Sequence, residues 1–254
     1  MKALVAQSRA EIMMTLRRGE SLLLAIGIPV AALVCFSSLH ILDTGPGRSI
    51  NFLTPGILAL AIMSTAMVNV AISTGFERYY GVLKRLGSTP LGRPSLIGAK
   101  TVSVLVVEII QAIVLIVVGL FLGWHPGLQG SAAGAGSGIG IVVILQAIAA
   151  AGIATVGFAA LGMLMAGRLS AFLILGLANG LWFAMLMVSG MFSPLSKLPS
   201  TLRTISELLP STALAQAFHM TLQKGESVSM EPWLVLIGWA FLASVAASRL
   251  FRWE

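Results

Sequence analysis

Long apolar runs alternate with short polar segments along the whole chain, and the apolar runs set the architecture. Six of them approach the roughly 20 residues that a helix needs to cross a bilayer. They cover residues 21–42, 52–76, 101–122, 139–166, 171–191 and 233–247. This pattern predicts an all-α membrane protein with six transmembrane helices, and the first span is expected to remain uncleaved because it is longer than a signal-peptide core.

Composition supports a membrane protein and limits what the chain can do alone. Hydrophobic residues make up 57% of the sequence and charged residues only 10%, whereas a soluble domain carries roughly a quarter charged residues. No hydrophilic stretch reaches the roughly 50 residues of the smallest domains. Residues 1–254 therefore form a single transmembrane domain, and any soluble activity must come from another polypeptide.

Basic residues alternate between the two sides of the predicted spans. Twelve of the 16 Lys and Arg residues lie on the side of the N-terminal segment and the loop after the second span. The other side holds only Arg48, Lys197, Arg203 and Lys224. The positive-inside rule then predicts that both termini are cytoplasmic. The net charge of +7 therefore reflects topology and does not indicate a nucleic-acid partner.

Residues 1–20 are predicted to form an amphipathic helix on the cytoplasmic membrane interface. Val5, Ile12 and Leu16 share one face of that helix, with Met13 beside them. Interfacial helices carry such an apolar face opposite a charged one. A basic tail without fixed structure is the alternative.

The segment 192–230 is too polar to span a membrane, yet it is patterned. Pro210 interrupts it, and Ser211 is placed to cap a second short helix. Helical spacing before the proline is seen at Leu198, Leu202, Ile205 and Leu209. We expect two short re-entrant helices on the outer side before the last span, with a solvated amphipathic loop as the alternative.

Motifs for catalysis and nucleotide binding are absent from the sequence. It lacks GxxxxGK[ST], HExxH, CxxC and GxSxG, so the chain has no P-loop for ATP and no recognised nucleophile. His40, His125 and His219 lie near outer span ends without a Cys or carboxylate in register. We expect no enzymatic activity, metal or bound cofactor in this chain.

Glu108 is the one acidic residue inside a predicted span, and Gln111 follows on nearly the same face. A charge at this depth costs about 2.5–3.5 kcal/mol on insertion scales. Glu108, Gln111 and, more weakly, Asn69 are candidates for a substrate path or its inner gate. A structural pair between Glu108 and an Arg of the N-terminal helix or of a neighbouring subunit is the open alternative.

The loop after the second span carries a short amphipathic pattern over residues 77–90. Apolar side chains follow helical spacing at Tyr79, Val82, Leu83 and Leu86, while Glu77, Arg78, Lys84 and Arg85 occupy the rest. Gly87 and Pro90 end the predicted helix. Such a helix can fill a groove on a cytoplasmic protein or rest on anionic lipid, and the pattern leaves both open.

Two stretches resemble type 2 ATP-binding-cassette transporter permeases. The first is Phe76-Glu77-Arg78 … Gly81-Val82-Leu83-Lys84-Arg85-Leu86 … Ser88-Thr89-Pro90-Leu91 … Lys100, which resembles the cytoplasmic loop of that family. The second is Ser189-Gly190-Met191-Phe192-Ser193-Pro194-Leu195 … Leu198-Pro199 … Leu208-Leu209-Pro210, which is similar to the family's loop before the last span. The resemblance covers nearly the whole chain.

The resemblance implies a multi-pass exporter subunit of the bacterial plasma membrane. Such a permease pairs with itself or a close relative, and it recruits two ATP-binding subunits that hold ATP and Mg²⁺. Its cargo would be a hydrophobic drug, a lipid or a glycan precursor. The implied coupling residues are Glu77, Arg78, Tyr79, Val82, Leu83 and Leu86, and the implied outer gate contains Phe192, Pro194, Leu198 and Pro210.

One departure from the family affects the predicted partner contacts. An additional acidic residue is often present near the start of the loop, whereas Tyr79 and Tyr80 follow Arg78 here. Two other classes compete with the exporter. One is a membrane scaffold or immunity protein that binds a cytoplasmic partner without transport, and the other is an intramembrane enzyme, which lacks a nucleophile–base pair at matching depth.

Overall fold

Six helical segments of the computed structural model are long and apolar enough to cross a membrane. The structure describes residues 2–17, 19–39, 47–88, 92–127 and 140–250, and it contains no strand in these ranges. The prediction of an all-α protein with six spans is confirmed. The spans are α2 (Gly19–Leu39), the segment Ser49–Tyr79, α6 (Arg93–Phe121), α7 (Ile141–Ala166), α8 (Ala171–Val188) and α11 (Met230–Leu250).

The second span is the most deeply buried element of the bundle. It consists of α3 (Ser49–Met63), a wide π-helical turn (Ser64–Asn69) and α4 (Val70–Tyr79). Every residue of α3 after Ser49 is buried. A side chain would not fit at Gly56, where a Cβ atom would lie 2.0 Å from the carbonyl oxygen of Met191. Glycine thus permits the close approach of backbone that membrane helices use for packing.

In the described ranges, four shorter α-helices lie outside the spans and define the two ends of the bundle. They are α1 (Lys2–Arg17), α5 (Val82–Gly87), α9 (Ser200–Glu207) and α10 (Pro210–Phe218). Helices α1 and α5 lie near the C-terminal end of α4 and the N-terminal end of α6. We call this end of the bundle the α5 end. The opposite end, with α9 and α10, is called the α10 end. Predicted turn residues 89–91 lie outside the described ranges.

The side of α1 that packs on the protein is its polar side, and not the apolar face that is predicted to lie on the membrane interface. Ser8 and Glu11 are buried, while Met13 is exposed and Ile12 is only partly covered. The helix packs along α6, and a polar partner on α6 selects the polar side of α1. The side chains of Val5 and Leu16 lie outside the described part of the chain. Contact between α1 and lipid stays a prediction.

Two short helices are present in the segment 192–230, as the spacing predicts. They differ in environment, since α9 exposes Ile205 whereas α10 is buried from Pro210 to Ala215. The predicted Ser211 cap is wrong because α10 begins one residue earlier, with Pro210 in its first turn and Leu209 at the N-cap. Proline suits that position, since its fixed φ matches the helix and its missing N–H would have no partner there.

Candidate functional site

A buried lysine joins three helices at the α5 end. Lys100 on α6 is only 4% exposed, and its Nζ lies 2.8 Å from Oε2 and 2.9 Å from Oε1 of Glu77. The same Nζ lies 3.3 Å from both carboxylate oxygens of Glu11 on α1. We call these three residues the Lys100 hub. One ammonium group is shared by two carboxylates there, so both carboxylates depend on it for charge compensation.

Polar groups around the Lys100 hub strengthen the junction between α1 and α6. The hydroxyls of Thr15 and Ser103 are 3.2 Å apart, and Gln7 Nε2 donates to Glu11 Oε1 over 2.9 Å. A small cavity of about 70 Å³ adjoins the hub, and Asn69 of the π-helical turn contributes to its wall. Movement of α1, α4 or α6 at this end therefore disturbs a shared set of buried polar contacts.

The predicted coupling helix is two helices joined by a sharp turn. The chain leaves α4 at Tyr80, and Gly81 adopts φ +73° before α5 begins. This left-handed residue reorients the chain, so the prediction of one apolar face through Tyr79 and Leu83 is wrong. Leu83 is fully buried, whereas Tyr79 is 61% and Val82 42% exposed.

The turn between α4 and α5 is anchored from inside and presents its aromatic side outward. Leu83 is buried in the main core, with Leu86 packed against it. Arg78 Nη2 donates a hydrogen bond to the carbonyl of Leu169, in the connection between α7 and α8. The rings of Tyr79 and Phe172 on α8 meet at 5.7 Å. We call the exposed residues Tyr79, Tyr80 and Val82 the turn surface.

Two of the three candidate path residues, Glu108 and Gln111, line one cavity, whereas Asn69 lines a different one. Gln111 is buried, where it accepts a hydrogen bond from Thr65 Oγ1 at 3.0 Å and donates to the carbonyl of Ala25 at 2.7 Å. Glu108 is also buried and lies 2.6 Å from the Thr155 hydroxyl of α7. Asn69 is exposed and lines the cavity beside the Lys100 hub. The structure does not bring these three side chains together at one point.

Comparison with known families agrees with this geometry. The model described as ABC-2 type transporter matches residues 2–222. The chain belongs to the ABC-2 type transporter family. The match includes the Lys100 hub, the turn surface and α10. Comparison with curated proteins gives no significant match.

Family membership fixes the general role of this ABC-2 permease. It is a multi-pass membrane protein and the permease component of an ABC transporter, a class that relies on an ATP-binding partner. The permease itself is a transport subunit and not the catalytic one.

Three of the four predicted outer-gate residues of the permease line one cavity at the α10 end. This cavity measures about 560 Å³ and includes Phe192, Pro194 and Leu198 in its wall. Phe192 contacts Phe36 of α2, with ring centroids 5.2 Å apart in an edge-on arrangement. Pro210 is buried at the start of α10. It therefore belongs to the anchor of the segment rather than to the cavity wall.

A second cavity of about 730 Å³ at the same end contains His219. The imidazole ring of His219 stacks on the ring of Phe52, with the two centroids 4.3 Å apart. Its Nδ1 lies 2.8 Å from Gln223 Oε1, and its Nε2 lies 3.3 Å from the carbonyl of Gly190. Burial lowers the pKa of His219 from its usual value to about 4, which outweighs the opposing effect of the two hydrogen bonds.

The apolar pattern does not indicate the Lys100 hub, because it predicts that the third span begins at residue 101. In the structure α6 begins at Arg93, so Lys100 lies inside a helix. Glu11 lies off the apolar face that the spacing predicts for α1. A lone lysine directly before a long apolar run, with acidic residues at comparable depth in two other helices, is the signal that could have indicated an ion pair.

Proposed function

We propose that this ABC-2 permease is the membrane-spanning subunit of an ATP-driven exporter. Two permease chains, identical or closely related, would form the translocation path, and each would engage one ATP-binding subunit. The cargo would be a hydrophobic drug, a lipid or a glycan precursor. The observation that carries the proposal is the turn surface, an exposed aromatic and apolar patch held on a rigidly anchored turn.

Coupling would begin at the turn surface. Tyr79, Tyr80 and Val82 have the composition of a protein contact, since aromatic side chains are enriched in interface centres. Lys84 and Arg85 on α5 are exposed beside them and form a basic rim. Leu83 and Leu86 would act by holding the turn to the core. Glu77 and Arg78 would act by linking the turn to the rest of the bundle.

Transmission would run through the Lys100 hub and Arg78. A displacement of α4 pulls on Lys100 through Glu77, and Lys100 holds α1 through Glu11. Arg78 connects the same helix to the α7–α8 connection. Closure of two ATP-binding subunits would thus move α1, α4, α6 and α8 together. Rigid elements joined by buried polar contacts are suited to carry such a displacement.

The distribution of charge supports the orientation required by this mechanism. By the positive-inside rule the α5 end would be cytoplasmic, as both termini are predicted to be. In a bacterial cell this end would face the ATP-binding subunits at the inner membrane. The α10 end, with its cavity at Phe192, Pro194 and Leu198, would then form the outer gate.

The proposal is tested by ATP hydrolysis in the assembled complex. The permease is co-expressed and co-purified with the P-loop ATP-binding subunits of its source organism, and Val82→Asp is compared with the wild-type chain. Because Val82 is exposed, the substitution should leave folding intact while it reduces both assembly and permease-dependent ATPase activity, by about tenfold or more for a buried charge at an interface.

The matched control is Thr204→Asp, at a site that is also exposed, on α9 at the opposite end. It should assemble and hydrolyse ATP as the wild type does. Wild-type assembly and ATPase activity in Val82→Asp would contradict the assignment of the turn surface. Failure of the wild-type chain to associate with any P-loop subunit would contradict the exporter.

A further inference from the structure

A lateral cavity in the middle of the bundle has an apolar wall and one acid. It measures about 400 Å³ and lies between α3, α6, α7 and the π-helical turn His219–Gln223. This volume is within the range of pockets that hold one drug-sized molecule. Its wall is formed largely by aliphatic side chains, among them Leu58, Ile62, Ile109, Ile144, Ile148 and Leu222.

Glu108 is the ionisable group of this cavity, and one of its oxygens is without a partner in the described part of the chain. Gln111 also lines the cavity, but its carbonyl oxygen already accepts from Thr65 and its amide nitrogen already donates to the carbonyl of Ala25. Glu108 is 6% exposed, and its Oε1 atom is buried without a hydrogen-bond partner among the described residues. A buried acceptor without a partner is costly, and a ligand that donates to it removes that cost.

The contacts of Thr155 indicate how the carboxyl group is held. Its hydroxyl oxygen lies 2.6 Å from Glu108 Oε2 and 2.9 Å from the carbonyl oxygen of Ala151. A hydroxyl has one hydrogen to donate, and it cannot serve both acceptors at these distances. A proton on Glu108 Oε2 satisfies both contacts, because Glu108 then donates to Thr155 and Thr155 donates to Ala151. Protonation also avoids a buried charge at membrane depth.

The cavity is open toward the surroundings of the bundle. Ile109 and Ile148 at its edge are 58% and 63% exposed, on helices that the apolar pattern places in the bilayer. Glu108 lies eight residues beyond Lys100 on α6, which is about 12 Å along the helix axis. A molecule dissolved in the lipid can thus reach the acid from the side without crossing the polar hub.

We propose that this cavity binds a lipophilic amine, with its apolar body against the aliphatic wall and its nitrogen at the carboxyl group of Glu108. A neutral amine accepts the carboxyl proton and becomes the ammonium partner of the carboxylate, so the pair remains uncharged overall. The inference names a cargo class for the proposed exporter and in that sense rests on the proposed function. Binding itself requires neither ATP nor a partner subunit.

The test uses dicyclohexylcarbodiimide, an apolar reagent that adds to protonated carboxyl groups and leaves a stable N-acylurea. The full permease chain is labelled in lipid nanodiscs without nucleotide. Peptide mass spectrometry locates the reaction and counts the N-acylurea together with any amide that an added amine forms at the activated carboxyl group. We expect labelling at Glu108 and not at the exposed Glu207, which is paired with Arg203. Dodecylamine should slow labelling at least tenfold, whereas dodecanol at the same membrane concentration should slow it less than twofold.

Two glycine variants test the cavity without altering Glu108. Gly152 lines the cavity, and a Cβ atom placed there meets nothing within 4 Å. Gly152→Leu should therefore fold, occupy the cavity and abolish the protection by dodecylamine. Gly238→Leu on α11 introduces the same side chain at another site where a Cβ meets nothing. It should behave as the wild type.

The outcomes separate this inference from the proposed function. Absence of labelling at Glu108, or equal protection by dodecylamine and dodecanol, would overturn the amine site while leaving ATPase coupling untouched. Protection that persists in Gly152→Leu would also overturn it. Selective protection together with a failure to bind any P-loop subunit would retain the amine site and reject the exporter.

Discussion

Lys100 is the residue on which the α5 end depends most directly. Its side chain is buried between two carboxylates that belong to different helices. Removal of the lysine leaves two acidic groups close together with their shared cation lost. Such a loss is far more costly than the net worth of the ion pairs, because buried charges without partners are strongly destabilising.

Lys100→Met is therefore expected to lower the free energy of unfolding by about 3 kcal/mol. Thermal unfolding of the purified permease in one detergent measures the effect. Arg203→Met breaks the exposed pair with Glu207 and should cost less than about 1 kcal/mol, since solvent screens such pairs. Equal effects of the two substitutions would show that the Lys100 hub does not hold the three helices together.

His219 gives the α10 end a defined dependence on pH. The folded protein holds this side chain at a pKa of about 4, below the value of about 6.5 in an unfolded chain. The unfolded state therefore binds the proton more readily between these values. The contribution of His219 to the free energy of unfolding should therefore be constant above pH 6.5, and it should fall as the pH drops toward 4.

The unfolding midpoint measured across this pH range should thus vary less in His219→Gln than in the wild type. His125→Gln provides the control, because His125 is an exposed histidine near the same end. The same pH dependence in wild-type and His219→Gln proteins would exclude His219 as its source.

At the scale of elements, the second span organises the bundle because most of it is buried, above all α3. Its contact with the segment before the last span depends on Gly56, where the backbone of Met191 lies against α3. That contact connects the predicted outer gate to the helix that ends in the turn surface. Both ends of the proposed mechanism thus share one continuous helical segment, Ser49–Tyr79.

Gly56→Ala is expected to destabilise the fold by about 1–3 kcal/mol, since its Cβ would lie 2.0 Å from a backbone oxygen. The free energy of unfolding and the yield of monodisperse protein measure the effect. Gly152→Ala is the control, because its Cβ meets nothing within 4 Å and alanine favours helix by up to about 1 kcal/mol. A harmless Gly56→Ala would contradict the close contact with Met191.

At the scale of the whole molecule, the sequence predicted the spans better than the surfaces between them. Apolar run length reflects bilayer thickness, a constraint that acts on each helix alone. The hub at Lys100 and the two-helix form of the coupling segment depend instead on tertiary partners and on the left-handed Gly81. Helical spacing places Tyr79 and Leu83 on one face, and a single positive φ separates them.

The candidate path residues show the same limit. Burial of Glu108 and Gln111 follows from their position in an apolar run, and both are buried. Their partners, Thr155 and Thr65, lie on helices distant in sequence. Periodicity gives the face of a helix but not the neighbour that meets it. Spacing therefore predicts that Glu108 and Gln111 lie on nearly one face, and both line one cavity, but it does not identify their partners.

Site-specific cross-linking from the turn surface tests the central claim most directly. Cys35 is the only cysteine in the sequence, so a Cys35→Ser chain carrying Val82→Cys can be labelled with a photoactivatable maleimide and illuminated in the assembled transporter. We predict a covalent product with the ATP-binding subunit from Val82→Cys and none from Thr204→Cys at the opposite end. Absence of that product from Val82→Cys in an intact complex, or equal yields from both positions, would contradict coupling through the turn surface.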